Sequence, residues 1–151
     1  MRKILVIGSG KSTSYLIKHL LDKSTQEELH IIVGDINIGN AKRLIGDHEN
    51  ANAITLDVFD KSSRQAAIEN ADIVVSMLPA RFHLEVAKDC VAFGKNMVTA
   101  SYVSEDMQKL NKVVTDKGLV FMNEIGVDPG IDHMSAIKVI DNIRDKGGKI
   151  V

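Results

Sequence analysis

Two rhythms of apolar and polar positions alternate along this chain. The first is a short, unbroken apolar run of the kind a strand buried on both faces requires. Ile4 to Ile7 is such a run, and it recurs as Leu29 to Gly34, ending at Asp35, and as Ala53 to Leu56, ending at Asp57. It returns in Ala71 to Leu78, stopped by Pro79, then in Asn96 to Ala100 and in Leu119 to Asn123. The second rhythm is helical. Leu16, Ile17, Leu20 and Leu21 fall on one side of a helix that follows the first strand. Further helices are predicted over Asn40 to Ile45, Lys61 to Ile68 and Phe82 to Phe93, the last with Leu84, Ala87 and Val91 on one side. Ser104 to Lys117 is another, opened by Ser-Glu-Asp, a good N-terminal cap signal. Asp132 to Asp145 is the final helix, and Lys149 to Val151 reads as the start of one more strand.

Six strand-helix units in succession predict an α/β fold: a doubly wound, open parallel sheet with helices on both faces. The expected strand order is 3-2-1-4-5-6, with a ligand crevice beyond the strand C-termini between strands 1 and 4. Polar residues collect at that edge. Gly8 and Gly10 follow the first strand directly, and Asp35, Asp57 and the Ser76–Pro79 loop fall beside them.

Strand, glycine turn and helix together give a G-x-G motif its meaning, that of a Rossmann-type dinucleotide-binding fold. Gly8 permits the tight turn, and Gly10 lets backbone approach a pyrophosphate. The helix N-terminus offers free N–H groups and a positive dipole end to the phosphates. Thr13 stands at the third fingerprint position, where Gly or Ala is usual, and should hold the helix slightly further from the strand. Gly10-Lys11-Ser12 looks like the end of a G-x-x-x-x-G-K-S triphosphate loop, but the first glycine of that motif would fall at Leu5, inside the strand. The nucleoside-triphosphatase reading is rejected.

Asp35 lies 22 residues past Thr13, at the end of the second strand. A carboxylate there accepts hydrogen bonds from both ribose hydroxyls and repels a 2′-phosphate. Ile36 and Asn37 bring no cation to offset that repulsion, and Lys42 and Arg43 could do so only if the loop folds back. NAD is therefore expected as cofactor, with NADP disfavoured. Asp57 either flanks the adenine or is a solvated strand-end carboxylate.

Composition narrows the remaining options. At 151 residues and 44% hydrophobic content the chain can bury one domain, hardly two. A net charge of −1 and 4% aromatics provide neither the charge nor the stacking platforms of a nucleic-acid binder. No apolar run is long enough for a membrane span or signal peptide. The single cysteine, Cys90, excludes an internal disulfide and suits a reducing cytoplasm; its helical neighbours Val86 and Ala87 make it a buried structural thiol. The five histidines show no metal-ligand spacing, so no metal site is expected.

The last third carries the most specific residues. Ser76-Met-Leu-Pro-Ala-Arg-Phe-His83, Thr99-Ala-Ser-Tyr102 and Asn123-Glu-Ile-Gly-Val-Asp-Pro-Gly-Ile-Asp-His-Met134 each follow a strand and would border the nicotinamide end of the crevice. Together they resemble the saccharopine dehydrogenase family, most closely its glutamate-forming members, and the Asp128–His133 run is the most distinctive piece. The resemblance covers the whole chain in order.

It implies an oxidoreductase that uses a nicotinamide cofactor to interconvert saccharopine with glutamate and aminoadipate semialdehyde, by way of an imine and hydride transfer. Carried over, Gly8, Gly10, Lys11, Ser12, Asp35, Asp57, Leu78 and Pro79 would hold the dinucleotide. Ser101, Tyr102 and Asp128 would face a small amino-acid substrate, with Arg81 as a nearby cation. Tyr102 or Asp128 could shuttle protons; alternatively Tyr102 packs on the cofactor and Asp128 braces the Pro129-Gly130 turn. Asp132 is assigned to capping the last helix, and His133 to its start or to substrate. Family members continue into a substrate domain that also carries the subunit interface, so the chain is expected to be one dinucleotide-binding domain, residues 1–151, of a longer cytoplasmic homodimer. Two other readings stand beside this one: a carboxynorspermidine-type dehydrogenase, and a non-catalytic dinucleotide-sensing module.

Overall fold

β1, Arg2–Ile7, runs through the middle of the sheet because both its faces are apolar: Ile4 and Val6 point to one side, Leu5 and Ile7 to the other, and all four are buried. The computed structural model describes residues 1–149. Among these, six strands form one parallel sheet in the order β3-β2-β1-β4-β5-β6, as the alternation of strand and helix predicts. The other strands are β2 (Leu29–Asp35), β3 (Ala51–Thr55), β4 (Ile73–Ser76), β5 (Asn96–Thr99) and β6 (Phe121–Met122).

The helices are α1 (Ser14–Ser24), α2 (Ile38–Ile45), α3 (Lys61–Glu69), α4 (His83–Phe93), α5 (Glu105–Lys109), α6 (Asn111–Asp116) and α7 (Ile131–Asp145). α1 and α2 cover the face carrying Ile4, Val6, Ile31 and Val33, burying Ile17, Leu21, Ala41 and Ile45 against it. The opposite face, with Leu5, Ile7, Ile32 and Val74, takes Ile68 of α3, Val86, Ala87 and Cys90 of α4, and Met107 of α5. Each large apolar side chain among these contributes roughly 1.5–3 kcal/mol relative to leaving it in water.

Several boundaries differ from expectation, each for a local reason. The Ser104–Lys117 segment is two helices. Leu110 donates its N–H to Met107 O rather than one residue further back, and this tight turn separates α5 from α6. Ser104 does cap α5, accepting from Met107 N at 3.2 Å. β3 starts two residues and ends one residue earlier than predicted, over Ala51–Thr55, which leaves Leu56 to turn into the core. β4 spans only Ile73–Ser76; Met77 still donates to Ile7 O, but Leu78 and Pro79 leave the sheet for a short 3₁₀ turn over Ala80–Phe82. α4 is rotated from the predicted face: His83, Val86, Ala87 and Cys90 are buried, whereas Leu84 and Val91 are half-buried. The expected strand at Lys149–Val151 falls mostly outside the described residues, and Lys149 itself is not in a strand.

α3 and α4 are joined by a buried ion pair that the alternation of positions did not foreshadow. Arg64 Nε donates to Asp89 Oδ2 at 2.6 Å, and Gln65 Nε2 donates to Asp89 Oδ1 at 2.8 Å. Arg64 also donates to Val58 O. Both charged residues are 5% exposed.

Register brings the strand ends level. Ile7 pairs with Gly34 on one side and with Ser76 on the other; Asp35 pairs with Thr55, and Ser76 with Thr99. The residues just after these positions share one edge of the sheet.

Candidate dinucleotide and substrate site

The turn out of β1 has a conformation only glycine adopts readily. Gly8 has φ +101°, and a Cβ there would stand 3.1 Å from Met77 O. Gly10 differs. Its backbone is extended, with φ −70°, and an added Cβ would meet no atom within 4 Å. The protein therefore leaves open space over Gly10, which suits a group lying against its backbone. Lys11–Thr13 form a 3₁₀ turn that leads into α1, and Lys11 and Ser12 are exposed at that helix end. Thr13 is fully buried, and its hydroxyl has no hydrogen-bond partner among the described residues.

Asp35 is tied back to this loop. Its Oδ2 accepts from Ser9 N at 2.7 Å and from Ser9 Oγ at 2.6 Å, while Oδ1 accepts from Asn37 N at 2.8 Å. Burial acts to raise its pKa, but the hydrogen bonds from Ser9 and Asn37 outweigh it, so the carboxyl lies below its ordinary range and stays ionised. Gly8, Asp35, Asp57, Leu78, Phe59 and Phe82 are among the residues lining one cavity of about 190 Å³. Four of the residues expected from the sequence to hold a dinucleotide, Gly8, Asp35, Asp57 and Leu78, thus line one cavity. Asp57 also closes its own turn, accepting from Phe59 N at 2.9 Å. Phe59 and Phe82 pack edge to face, with centroids 5.0 Å apart. Pro79 is exposed at the start of the 3₁₀ turn that brings Phe82 there.

Arg81 does not line the cavity that Asp128 lines. Its guanidinium lies over the Phe82 ring, 4.7 Å from the centroid, and it lines a cavity with Val58, Lys61 and Glu85, beside Phe59. The 3₁₀ turn after Pro79, invisible in the alternation pattern, carries it there.

A third cavity, of about 550 Å³, is lined by Ser12, Met77, Thr99, Ala100, Gly126 and Asp128, among others. It joins the glycine-turn helix end to the loops after β5 and β6. Those two loops are laced together: Glu124 N donates to Ser101 O at 3.1 Å, Ile125 N to Thr99 O at 3.3 Å, and Val103 N to Glu124 Oε1 at 3.1 Å. At the mouth, Tyr102 Oη donates to Asp128 Oδ1 at 2.6 Å. The hydrogen bond to Asp128, followed by desolvation and the charges of Asp128, Asp132 and Glu124, raises the Tyr102 pKa and holds the phenol protonated. Asp132 Oδ1 accepts from Gly130 N at 2.9 Å and from His133 Nδ1 at 2.8 Å, so both residues are engaged at the start of α7.

One residue of this site was not assigned from the sequence. His83 is buried where β4 and β5 end, with Nδ1 2.8 Å from Ser76 Oγ and Nε2 2.8 Å from Ser101 Oγ. Its position seven residues after Ser76, on the inward face of α4, is the only trace of this in the sequence. Cys90, on the same face, has its thiol pushed up to about 12 by burial, with the Asp89 charge adding to the effect, and is unreactive there. Among the described residues no helix is long and apolar enough to cross a membrane, and no group of three or more His, Cys, Asp or Glu could hold a metal ion.

Comparison with known proteins shows the family and fold. Residues 4–122 match the family model described as the saccharopine dehydrogenase NADP binding domain. The chain is 37% identical over 149 residues to a Pyricularia oryzae protein named saccharopine dehydrogenase [NADP(+), L-glutamate-forming], covering 99% of this chain and 32% of that one. It is 35% identical over 150 residues to the mitochondrial alpha-aminoadipic semialdehyde synthase of Mus musculus, covering 99% of this chain and 16% of that protein. The solved structure of apo histidine-tagged saccharopine dehydrogenase (L-Glu forming) from Saccharomyces cerevisiae superposes with a TM-score of 0.86 at 33% identity, over 99% of this chain and 33% of that one. The chain therefore spans a third or less of these relatives' length. Fold, glycine turn and sequence agree: the chain belongs to the saccharopine dehydrogenase family and forms its nicotinamide-dinucleotide-binding domain.

Proposed function

We propose that this chain serves an oxidoreductase that interconverts saccharopine with glutamate and aminoadipate semialdehyde. The observation that carries the reading is that Asp128, which accepts from Tyr102, lines one cavity with Ser12 of the turn that leads into α1. The names of the relatives support it.

The open space over Gly10 and the ionised Asp35 fit a dinucleotide. Gly8, Gly10, Lys11 and Ser12 would hold its pyrophosphate, Asp35 its adenosine ribose, and Asp57, Leu78 and Pro79 the walls of that half. When bound, the cofactor supplies or accepts hydride. The chain's own residues do the rest: Ser101 orients the amino-acid substrate, and the proton that the amine loses on addition passes to Tyr102 Oη as the phenol hands its own proton to Asp128 Oδ1, the reverse returning it on release, so that Tyr102 stays protonated throughout. Tyr102 is 61% exposed, so in this reading the remaining length seen in relatives encloses the site and supplies cations for the substrate carboxylates. We place that protein in the cytoplasm as a homodimer, a reading supported by the single buried thiol and the resemblance described above.

For the cofactor we favour NAD. The fungal relative is named for NADP(+), but here the end of β2 presents the Asp35 carboxylate followed by Ile36 and Asn37. Lys42 and Arg43 are exposed on α2, and Arg43 donates instead to Asn40 Oδ1 at 3.2 Å. The test is to assay the full-length protein with saccharopine and each cofactor, following absorbance of the reduced form. Turnover with saccharopine, faster with NAD, is expected. No turnover with either cofactor would refute the reading.

A further inference from the structure

The cluster behind Ser101 contains one imidazole and three hydroxyls, and their hydrogens can be counted. Ser76 Oγ lies 2.8 Å from His83 Nδ1; Ser101 Oγ and Thr99 Oγ1 lie 2.8 and 3.1 Å from Nε2. Ser76, His83 and Thr99 are each buried to within a few per cent of full burial, whereas Ser101 is half-buried and follows Ala100, which lines the larger cavity. Thr99 Oγ1 also accepts weakly from Ser101 N at 3.4 Å.

Suppose the ring proton were on Nδ1. It would donate to Ser76, leaving the buried Ser76 hydrogen without an acceptor. Nε2 would then accept from Ser101, and Thr99, over the ring face at 3.1 and 3.5 Å from the two nitrogens, would gain no acceptor there either. With the proton on Nε2, Ser76 donates to Nδ1 and the N–H donates to Ser101, while Thr99 Oγ1, 3.1 Å from Nε2 and 3.5 Å from Nδ1, lies over the ring face and not in line with either nitrogen. Only the Thr99 hydrogen is left over. Buried donors without partners are the costly ones, so the second arrangement is preferred. Burial lowers the His83 pKa, and no carboxylate is within hydrogen-bond distance of the ring among the described residues to offset it, so the imidazole is neutral.

We propose that His83 is a positioning residue: held as the Nε2–H tautomer between Ser76 and Ser101, it fills the acceptor side of Ser101 and turns the Ser101 O–H into the crevice as a donor. The ligand atom it meets is an acceptor oxygen, either a carboxylate of the amino-acid substrate or the carboxamide oxygen of the nicotinamide. The chain of hydrogen bonds ends at Ser76, which is 1% exposed, so it does not lead protons to solvent. The ligand half of this inference rests on the proposed function, which puts Ser101 on the substrate side; the tautomer does not.

Two measurements test it. In this chain carrying ¹⁵N-labelled histidine, NMR at neutral pH should show His83 neutral and protonated at Nε2. A proton on Nδ1, or a charged ring, would overturn the arrangement whatever the enzyme does. In the full-length protein, Ser101→Ala and His83→Phe should each weaken binding of one ligand about tenfold, the size of one hydrogen bond to a charged group. A rise in KM for the amino-acid substrate identifies the carboxylate; a rise in cofactor Kd identifies the carboxamide. His83→Gln, which keeps a donor and an acceptor, should recover most of the loss. The double variant should be no worse than Ser101→Ala alone. Additive losses in folded variants, judged by thermal melting, would show that His83 does not act through Ser101. Failure of the unmutated protein to turn over saccharopine would count against the proposed reaction, while the NMR measurement would still decide the tautomer of His83.

Discussion

The carboxylate of Asp35 holds Ser9 twice, by its N–H at 2.7 Å and by its hydroxyl at 2.6 Å. One side chain at the end of β2 thereby fixes the glycine turn at the end of β1, before any ligand is bound. The same carboxylate is the one expected to meet the adenosine ribose. Its two roles compete for the same lone pairs, and ionised carboxylates have about four to share.

The first prediction follows from that sharing. Asp35→Ser removes the ribose acceptor, the repulsion of a 2′-phosphate and the tie to Ser9. NAD affinity should fall at least tenfold, and the ratio of NAD to NADP affinity should move toward one. Ser9→Ala removes only the hydroxyl bond and should preserve the NAD preference. Titration calorimetry of both cofactors checks this; an unchanged ratio in Asp35→Ser would place the discrimination elsewhere.

Gly8 and Gly10 should fail in different ways. Gly8→Ala forces a Cβ to 3.1 Å from Met77 O at φ +101°, so it should destabilise the fold by about 1–3 kcal/mol. Gly10→Val occupies open space with an ordinary backbone, so its melting temperature should stay close to that of the parent while cofactor binding is lost. Thermal melts paired with calorimetry separate the two.

How far such assignments were legible depends on sequence distance. The parallel sheet was readable because Leu5 and Val6, or Ile31 and Val33, sit in unbroken apolar runs that only a doubly covered strand accommodates. The glycine turn was readable because Gly8 and Gly10 lie directly between a strand and a helix. Arg64 and Asp89 were not, since 25 residues separate them and each alone reads as a surface charge. His83 escaped for a subtler reason. The face expected for α4 through Leu84 and Val91 turns His83 away from the sheet, whereas the true face runs through His83, Val86 and Cys90. The 3₁₀ turn that sets where Arg81 lies has no apolar period to announce it.

The Arg64–Asp89 pair gives a stability prediction. Arg64→Ala leaves Asp89 buried beside Gln65 alone and should cost about 3–5 kcal/mol, as for other buried ion pairs broken from one side. Denaturant melts measure it directly. A loss under about 1 kcal/mol would mean that water reaches Asp89.

His83 makes stability depend on pH. Its folded pKa is lowered from 6.5, so above pH 6.5 both folded and unfolded chains hold a neutral ring and the full stability is present. As pH falls below 6.5 the unfolded chain takes up a proton that the folded one refuses, and stability declines until the folded ring titrates. His83→Phe should flatten the limb that begins at about pH 6.5 and runs to lower pH, and parallel denaturant series on both proteins would reveal it.

The central claim is that this chain is a dinucleotide-binding domain whose crevice is built at Gly8, Gly10 and Asp35. Calorimetric titration of the 151-residue chain with NAD tests it most directly. Saturable binding of one NAD per chain is predicted, tighter than NADP and absent in Gly10→Val. No heat of binding in the folded parent chain, or equal binding in folded Gly10→Val, would contradict the account.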